Sequence, residues 1–300
     1  MFSVVIPAYN EEISLKNENF IASLETELGK ANFNEYEIII VNDGSTDETL
    51  KILKDINNSN KVKILDNYIN KGYGSSIKRG IINSKFDVIV IVDIDGTYPA
   101  KYVPEAIKKY FDHNVNKKND IDMIVAQRTG KHYRESFTKS FLRFILKFIV
   151  EWSSGNKIPD INSGLRIFSK DTMVPYFPKL SNAFSFTTTS TLLYLLTNKS
   201  IVYFPITYLF RKGQNNFSKV KIFGDSLRTL QSVIDATIYY NPFKFFLLIS
   251  IILLLTSIIS AFIYYYLKIK LLKTIFFIFL IIGVLSLLLG FISTLLKKID

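Results

Sequence analysis

Residues 88–98 read VIVIVDIDGTY, in which five β-branched apolar residues precede two aspartates and a glycine. A short run of Val and Ile without polar alternation indicates a strand buried on both faces of a sheet. Similar runs recur along the first half of the chain, separated by segments of helix length. The pattern predicts an α/β domain with a mainly parallel sheet, helices on both faces and right-handed crossovers. The predicted strands are residues 3–8, 36–42, 62–66, 88–93 and 123–127.

Polar residues gather where three of these strands end. The first is followed by PAYNE at 7–11, the second by NDGS at 42–45 and the fourth by DIDG at 93–96. In parallel sheets the ligand crevice lies outside the carboxyl ends of the strands. The three acidic turns are therefore expected to share one edge of the sheet and to line a binding crevice.

The paired carboxylates of Asp93 and Asp95 suit a hard cation such as Mg²⁺ or Mn²⁺, which takes carboxylate oxygens together with substrate phosphates. A solvated Asp-Gly turn is the alternative explanation of this pair. Asp43 has an alternative as well, because with Ser45 and Glu48 it could begin a helix as a capping box. The chain has no cysteine, which excludes disulfides, thiolate nucleophiles and zinc–thiolate sites.

Two long apolar runs occupy the end of the chain. Residues 245–267 and 274–296 contain no charged residue, and each exceeds the roughly 20 residues that span a bilayer. Two buried core helices are the alternative, but such helices usually have a polar face, which neither run has. We expect a transmembrane hairpin at 245–300, a juxtamembrane amphipathic helix at 217–244 and an α/β domain at 1–216.

The topology of the hairpin places residues 1–244 on one side of the membrane. Lysines flank both ends of the spans equally, so the charges of the loops do not fix the orientation. The N-terminus lacks the pattern of a secretory signal, which favours a cytoplasmic domain. The formal net charge of +11 fits nucleic acid, an anionic membrane surface or a phosphorylated substrate. With two spans present, the last two are favoured and a nucleic-acid partner is not expected.

Residues 134–152 form a basic amphipathic pattern. Phe141, Ile145, Phe148 and Trp152 are spaced along one side of the predicted helix, and basic residues recur four apart on another. Two interpretations remain open at this stage. The helix lies at a membrane interface, or it packs on the sheet with its basic side in solvent.

The motifs PAYNE, VNDGSTD, NKGYG and DIDGTYP, in this order, resemble glycosyltransferase family 2. The likeness is greatest to its dolichol-phosphate mannose synthase and polyprenyl-phosphate glycosyltransferase branch, extends over about residues 3–220 and includes DINSGLR at 160–166. It implies a GT-A fold, a nucleotide-sugar donor, a divalent metal and inversion at the transferred carbon. It also implies a set of nucleoside contacts, namely Pro7, Tyr9, Glu11, Val41, Asp43 and Asp93.

The resemblance further implies that Asp93 and Asp95 bind the metal and the diphosphate, and that Arg128 lies near the phosphates. Arg211 and Lys219 resemble a basic family element, although two additional residues separate them here. Thr97 stands where some relatives have a glutamine as a third metal ligand. Independently of the family, two phosphorylated substrates would require cations, and Arg134 and Arg166 are predicted to contact the acceptor phosphate.

A lipid phosphate acceptor is already ionised near neutral pH, so catalysis needs positioning and charge stabilisation rather than proton removal. A sugar hydroxyl acceptor on a glycolipid or polysaccharide would need a general base, for which Asp160 is the candidate. A membrane module that binds nucleotide-sugars without catalysis is the rival from another class. The hairpin favours a polyprenyl phosphate acceptor, and the sequence is compatible with a homo-oligomer.

Overall fold

The computed structural model describes residues 1–17, 19–56, 60–115, 121–130, 137–210 and 222–297, and in this part of the chain seven strands form one sheet. The strands are β1 (Phe2–Ala8), β2 (Tyr36–Asn42), β3 (Val62–Asp66), β4 (Val88–Ile91), β5 (Met123–Thr129), β6 (Arg166–Ser169) and β7 (Ile201–Thr207). The helices are α1 (Glu12–Asn17), α2 (Phe20–Lys30), α3 (Thr49–Ile56), α4 (Tyr73–Ile82), α5 (Tyr102–Val115), α6 (Phe137–Ser154), α7 (Lys170–Met173), α8 (Phe186–Leu196), α9 (Ile222–Tyr240), α10 (Pro242–Leu267) and α11 (Lys270–Leu296), with a 3₁₀ helix at Val174–Lys179.

The strand order is β3-β2-β1-β4-β6-β5-β7, and among the described strands β6 alone runs opposite to the others. The parallel pairing aligns Ala8 with Asn42, and it aligns Val5 with Ile91. The carboxyl ends of β1, β2 and β4 therefore lie at one edge, as the sequence predicts. The prediction of a mainly parallel α/β sheet is confirmed.

Two strands escaped prediction. β6 has only four residues, too few for a periodic pattern, and it inserts between β4 and β5. β7 contains Pro205, which cannot donate to a sheet ladder. Because β7 lies at the edge of the sheet, that missing donor is tolerated.

The sheet separates two hydrophobic cores. Val4 and Ile6 of β1 pack on one side with Leu24 of α2, whereas Val5 points to the other side and packs with Ile77 of α4. All five side chains are buried. Burying a side chain of this size contributes about 1.5–3 kcal/mol each, which holds the strand ends in place.

Helices α10 and α11 form the predicted C-terminal hairpin and contain both predicted spans. Their seam has small residues, and Ser257 Oγ donates to the Phe276 carbonyl at 2.9 Å while Ser286 Oγ donates to the Phe246 carbonyl at 3.1 Å. Small and hydroxyl residues at a helix seam are typical of membrane helices. The outward faces are apolar and exposed, and both helices are long and apolar enough to cross a membrane. They are candidate membrane spans.

Helix α6 joins the hairpin to the α/β domain. The Trp152 indole donates to the Lys244 carbonyl of α10 at 2.9 Å, and Thr237 Oγ1 of α9 donates to Ser153 Oγ at 3.1 Å. Val150 is buried in the second core. One side of α6 thus packs inside the protein, against the helices α8, α9 and α10.

The opposite side of α6 is apolar and uncovered. Phe144 is 66% exposed and Phe148 is 47% exposed. The predicted stripe is therefore divided, since Phe148 is exposed whereas Trp152 is hydrogen-bonded to α10. Residues 134–136 lie outside the described residues, and so do the side chains of Phe141 and of its basic neighbours Lys139 and Arg143.

Candidate active site

The turns after β1 and β2 are joined by hydrogen bonds. The Asn10 amide donates to Ser45 Oγ at 3.0 Å, and the Glu11 amide donates to Thr49 Oγ1 at 2.7 Å. The Glu11 carboxylate also accepts a hydrogen bond from Ser14 Oγ at 2.8 Å. These bonds bring the PAYNE and NDGS motifs together as one wall of the crevice.

Pro7 and Val41 are partners on neighbouring strands, and both are buried. The predicted contacts of Pro7 and Val41 with a nucleoside stay predictions. Tyr9 is half-buried at the crevice wall, and its contact with a nucleoside stays a prediction.

Asp43 does not cap a helix. Its carboxylate is buried and accepts hydrogen bonds from the amides of Lys71 and Gly72 and from Asn67 Nδ2, each at 2.9 Å. The capping interpretation is wrong, because the Thr49 amide at the start of α3 donates to Asp47 instead. Asp43 thus fixes the loop that precedes α4, and its predicted role toward a nucleoside stays a prediction.

Asp93 and Asp95 are half-buried at the end of β4, while Ile94 between them is buried in the core. The Tyr73 hydroxyl donates to Asp93 Oδ1 at 3.0 Å. Thr97 donates to Asp95 Oδ1 from its amide at 3.1 Å and from its hydroxyl at 2.6 Å. Thr97 therefore orients a carboxylate here, in the position where some relatives have a metal-binding glutamine.

The loop 160–164 lies directly against Asp93. A Cβ atom at Gly164 would be 2.2 Å from Asp93 Oδ2, so only glycine permits this approach. The Gly164 amide donates to the buried Tyr98 hydroxyl at 2.6 Å. Tyr98, from the GTYP motif, thus anchors the loop beside the carboxylate.

Asp160 at the start of this loop forms an ion pair with Arg128 of β5. Arg128 Nε donates to Oδ2 at 2.7 Å and Nη2 donates to Oδ1 at 2.9 Å, with side chains 12% and 1% exposed respectively. Burial alone would raise the pKa of Asp160, but the hydrogen bonds and charge of Arg128 outweigh it and lower this pKa. Both carboxylate oxygens are occupied. Asp160 as a general base is therefore a wrong prediction, because it serves to hold Arg128.

Tyr208, just after β7, is a site residue that the sequence did not reveal. The Arg128 guanidinium lies 5.3 Å from the centre of its ring, and the ring packs edge-on against Tyr98 at 5.3 Å. Burial, followed by the nearby Asp95 carboxylate, raises the pKa of the Tyr208 hydroxyl. A tyrosine following an irregular edge strand gives no signal of its own in the sequence.

The donor set at this edge fits one hard divalent cation. Asp93 and Asp95 offer carboxylate oxygens, and no cluster of three or more His, Cys, Asp or Glu suited to a metal occurs among the residues described. Mg²⁺ typically takes one or two carboxylates and completes its shell with water and substrate phosphates. The site therefore suits a cation that arrives together with a diphosphate.

The sequence model of the family described as glycosyl transferase family 2 matches residues 3–171, which include all three acidic turns and the loop at 160–164. The chain belongs to glycosyl transferase family 2. Its carboxylates, its Arg128–Asp160 pair and its crevice are thus those of a family 2 domain. The resemblance that the motifs indicated is confirmed at the level of the family.

Curated relatives share this domain. The chain is 32% identical over 188 residues to dolichyl-phosphate beta-glucosyltransferase of Dictyostelium discoideum, a match that covers 59% of this chain and 57% of that protein. It is 30% identical over 129 residues to dolichol-phosphate mannosyltransferase of Pyrococcus furiosus, covering 43% and 33%. The chain spans between a third and three fifths of the length of these two relatives.

Solved structures share the fold. Glucosyl-3-phosphoglycerate synthase from Mycobacterium tuberculosis with phosphoglyceric acid superposes with a TM-score of 0.59 at 15% identity, over 79% of this chain and 80% of that one. The same synthase in complex with Mg²⁺ and uridine diphosphate superposes with a TM-score of 0.56 at 15% identity, over 79% of each chain. At this identity the likeness establishes the GT-A fold of this family 2 member.

Arg166 does not face the crevice. Its guanidinium is fully buried and donates to the carbonyls of Ser163 at 2.8 Å and Ile161 at 2.9 Å. It also donates to Thr191 Oγ1 at 2.7 Å and Ser190 Oγ at 3.2 Å on α8. The predicted contact with an acceptor phosphate is wrong, because every such donor points into the protein. Arg166 instead ties the 160–164 loop to α8.

Three predicted basic residues cannot be placed in this site. Arg134, Arg211 and Lys219 lie outside the described residues, so their roles toward the phosphates stay predictions. Arg128 is the predicted cation that the structure places beside the loop at 160–164, through its ion pair with Asp160. Its burial and the short distance to Asp160 give it one fixed orientation.

Proposed function

We propose that this chain transfers a hexose from a UDP- or GDP-linked sugar to the phosphate of a polyprenyl phosphate, with inversion at the anomeric carbon. Membership of family 2 supports sugar transfer, and the names of the two curated relatives support a polyprenyl-type phosphate acceptor. We also propose that the catalytic domain lies on the cytoplasmic side of the membrane, because nucleotide-sugars are made there.

The Arg128–Asp160 ion pair is the observation that carries the choice of acceptor. A hydroxyl nucleophile needs a base with an accessible carboxylate or imidazole near the reacting oxygen. Asp160 is the candidate base predicted from the sequence, and both of its carboxylate oxygens accept hydrogen bonds from Arg128. A phosphate nucleophile is already ionised and needs no base, so the site suits a phosphate better than a hydroxyl.

Asp93 and Asp95 would hold Mg²⁺ or Mn²⁺ together with the donor diphosphate. A divalent ion bound there would stabilise the negative charge that builds on the nucleoside diphosphate as it leaves. The Mg²⁺ and uridine diphosphate in the structurally similar synthase support this pairing of metal and nucleotide. Thr97 keeps the Asp95 carboxylate oriented for this role.

Arg128 would supply fixed positive charge beside the reacting groups. Its orientation is set by Asp160 before substrates arrive, so no reorganisation is needed at the moment of reaction. Alignment of the acceptor oxygen with the anomeric carbon supplies the rest of the rate enhancement. The C–O bond to the donor phosphate breaks as the bond to the acceptor phosphate forms on the opposite face.

The membrane side of the protein supports a lipid acceptor. Phe144 and Phe148 present an uncovered apolar face on α6, and Trp152 of the same helix is bonded to the start of α10. Aromatic residues are enriched at membrane interfaces. This α6 face would lie in the headgroup layer, where the phosphate of a membrane-anchored acceptor also lies.

The test is transfer of labelled sugar from a panel of UDP- and GDP-sugars to polyprenyl phosphate in vesicles with Mg²⁺. Full-length protein is compared with Asp95→Asn, which keeps the size of the side chain and removes its charge. We expect organic-extractable label with one donor, abolished by chelator and strongly reduced in the variant. Folded protein that binds nucleotide but labels a glycolipid hydroxyl, or nothing, would overturn the proposal in favour of a hydroxyl acceptor or a binding module.

A further inference from the structure

The segment at 180–184 is fastened to the first turns of α4. The Ser75 amide donates to the Asn182 carbonyl at 3.0 Å, and Lys78 Nζ donates to the Leu180 carbonyl at 2.6 Å. A Cβ atom at Gly74 would lie 2.2 Å from the Ser181 carbonyl oxygen, so glycine is required for this close approach. The start of α4 and the segment therefore form one rigid rim beside the crevice.

This rim places one aromatic ring on another. Phe184 stacks on Tyr73, with ring centres 5.6 Å apart and planes 14° apart. Offset stacking of this kind adds stabilisation beyond the burial of surface. The Phe184 ring remains partly exposed on its other side. The stack restricts the Tyr73 ring, and with it the direction of the Tyr73 hydroxyl.

That hydroxyl is the donor that contacts Asp93 Oδ1 at 3.0 Å. The second oxygen of the carboxylate faces Gly164, where the backbone leaves no room for a side chain. The Asp93 carboxylate is thus limited on one side by a hydrogen bond and on the other by the loop at 160–164.

We propose that Tyr73 is a positioning residue that orients the metal-binding carboxylate of Asp93, and that Phe184 holds the Tyr73 ring for this task. The inference rests on the proposed function only in assigning a divalent metal to Asp93. Removing a residue that orients a metal ligand commonly lowers the metal affinity 10–100-fold.

The experiment measures Mn²⁺ binding to the full-length protein by electron paramagnetic resonance, with saturating UDP and separately with GDP. Tyr73→Phe removes the hydroxyl and keeps the stacked ring, whereas Phe184→Leu removes the stack and keeps the hydroxyl. Tyr176→Phe is the matched control, because it removes another tyrosine hydrogen bond, to Thr197 at 2.9 Å beyond the far end of α8.

We expect Tyr73→Phe to weaken Mn²⁺ binding about tenfold or more, and Phe184→Leu to weaken it about threefold. The double variant should bind within about twofold of Tyr73→Phe alone, because the two residues act through one contact. Tyr176→Phe should bind Mn²⁺ like the wild type. The affinity for nucleotide, measured without metal, should be the same in the wild type and in every variant.

Three results would overturn the inference. They are Mn²⁺ affinity of Tyr73→Phe within about twofold of wild type, additive losses in the double variant, and a wild-type protein that binds no Mn²⁺ with either nucleotide. Because binding rather than transfer is measured, an incorrect polyprenyl phosphate acceptor leaves these outcomes unchanged. Failure of the inference and failure of the proposed phosphate acceptor are thereby separated.

Discussion

The Arg128 guanidinium donates two side-by-side hydrogen bonds to the Asp160 carboxylate, at 2.7 and 2.9 Å. The Arg128 amide donates a third to the same carboxylate at 3.1 Å, and the Asn162 amide donates a fourth at 3.1 Å. Bidentate hydrogen bonds between arginine and a carboxylate are among the strongest hydrogen bonds in proteins. This ion pair joins β5 to the loop that lies against Asp93.

The Arg128–Asp160 ion pair leads us to predict how the free energy of unfolding depends on pH. Asp160→Asn leaves Arg128 as a nearly buried charge with a neutral partner, so we expect a loss of about 3 kcal/mol in the free energy of unfolding at pH 7. The lowered pKa of Asp160 means that its contribution is present above the pKa of the unfolded chain and is lost as pH falls through the folded pKa.

The measurement is urea unfolding of wild type and Asp160→Asn at pH 7, 5 and 3.5. The difference in unfolding free energy should be equal at pH 7 and 5 and smaller at pH 3.5. A difference that grows between pH 7 and 5 would indicate a raised pKa, because the folded protein would then take up the proton before the unfolded chain does, and Asp160 would again be a candidate base.

Arg166 is predicted to act on folding rather than on the acceptor. Arg166→Met fills similar volume but leaves the carbonyls of Ile161 and Ser163 without their buried donor, which costs about 1–3 kcal/mol for each. We expect a lower melting temperature. The KM for polyprenyl phosphate, measured below that temperature, should change less than about threefold. A large rise in this KM with unchanged stability would restore Arg166 as an acceptor contact.

Gly164→Ala is expected to abolish transfer by displacing Asp93. The added methyl would lie 2.2 Å from Asp93 Oδ2, a distance that real contacts do not reach. We expect transfer to fall by about two orders of magnitude, in line with other losses of metal-site geometry. Gly29→Ala in α2 is the matched control, because nothing lies within 4 Å of its added Cβ. Transfer by Gly164→Ala within about threefold of this control would contradict the assigned geometry.

The α6 face is expected to matter only when the acceptor is in a bilayer. The double substitution Phe144→Ser and Phe148→Ser removes exposed rings without touching the crevice, so folding should be unaffected. We expect a KM increase of about tenfold for long-chain polyprenyl phosphate in vesicles, since each ring loses its apolar contact with lipid. The double variant should use a short, water-soluble polyprenyl phosphate as efficiently as the wild type does. Equal KM values in vesicles would remove this face from acceptor binding.

The sequence was sufficient for the fold and for the edge that holds the site. Short runs rich in Val and Ile identified β1 to β5, and the position of Asp93 and Asp95 after one of them identified the crevice. These inferences succeeded because they depend on local pattern. β6 and β7 were missed, since one is very short and the other is interrupted by Pro205.

The partners of the site residues depended on tertiary structure. Arg128 and Asp160 are 32 residues apart, and they meet only because β6 inserts between β4 and β5. Arg166 was predicted to contact an acceptor phosphate, since nothing local in the sequence indicates that carbonyls and hydroxyls surround it. Tyr208 gave no local signal at all.

The most direct test offers polyprenyl phosphate and the unphosphorylated polyprenol of the same chain length in the same vesicles, with the active donor and Mg²⁺, and identifies the product by mass spectrometry. We expect one hexose added to polyprenyl phosphate and none on the alcohol. Hexose on the polyprenol, or equal transfer to both, would contradict a phosphate nucleophile and require a base that the Arg128–Asp160 pair does not provide.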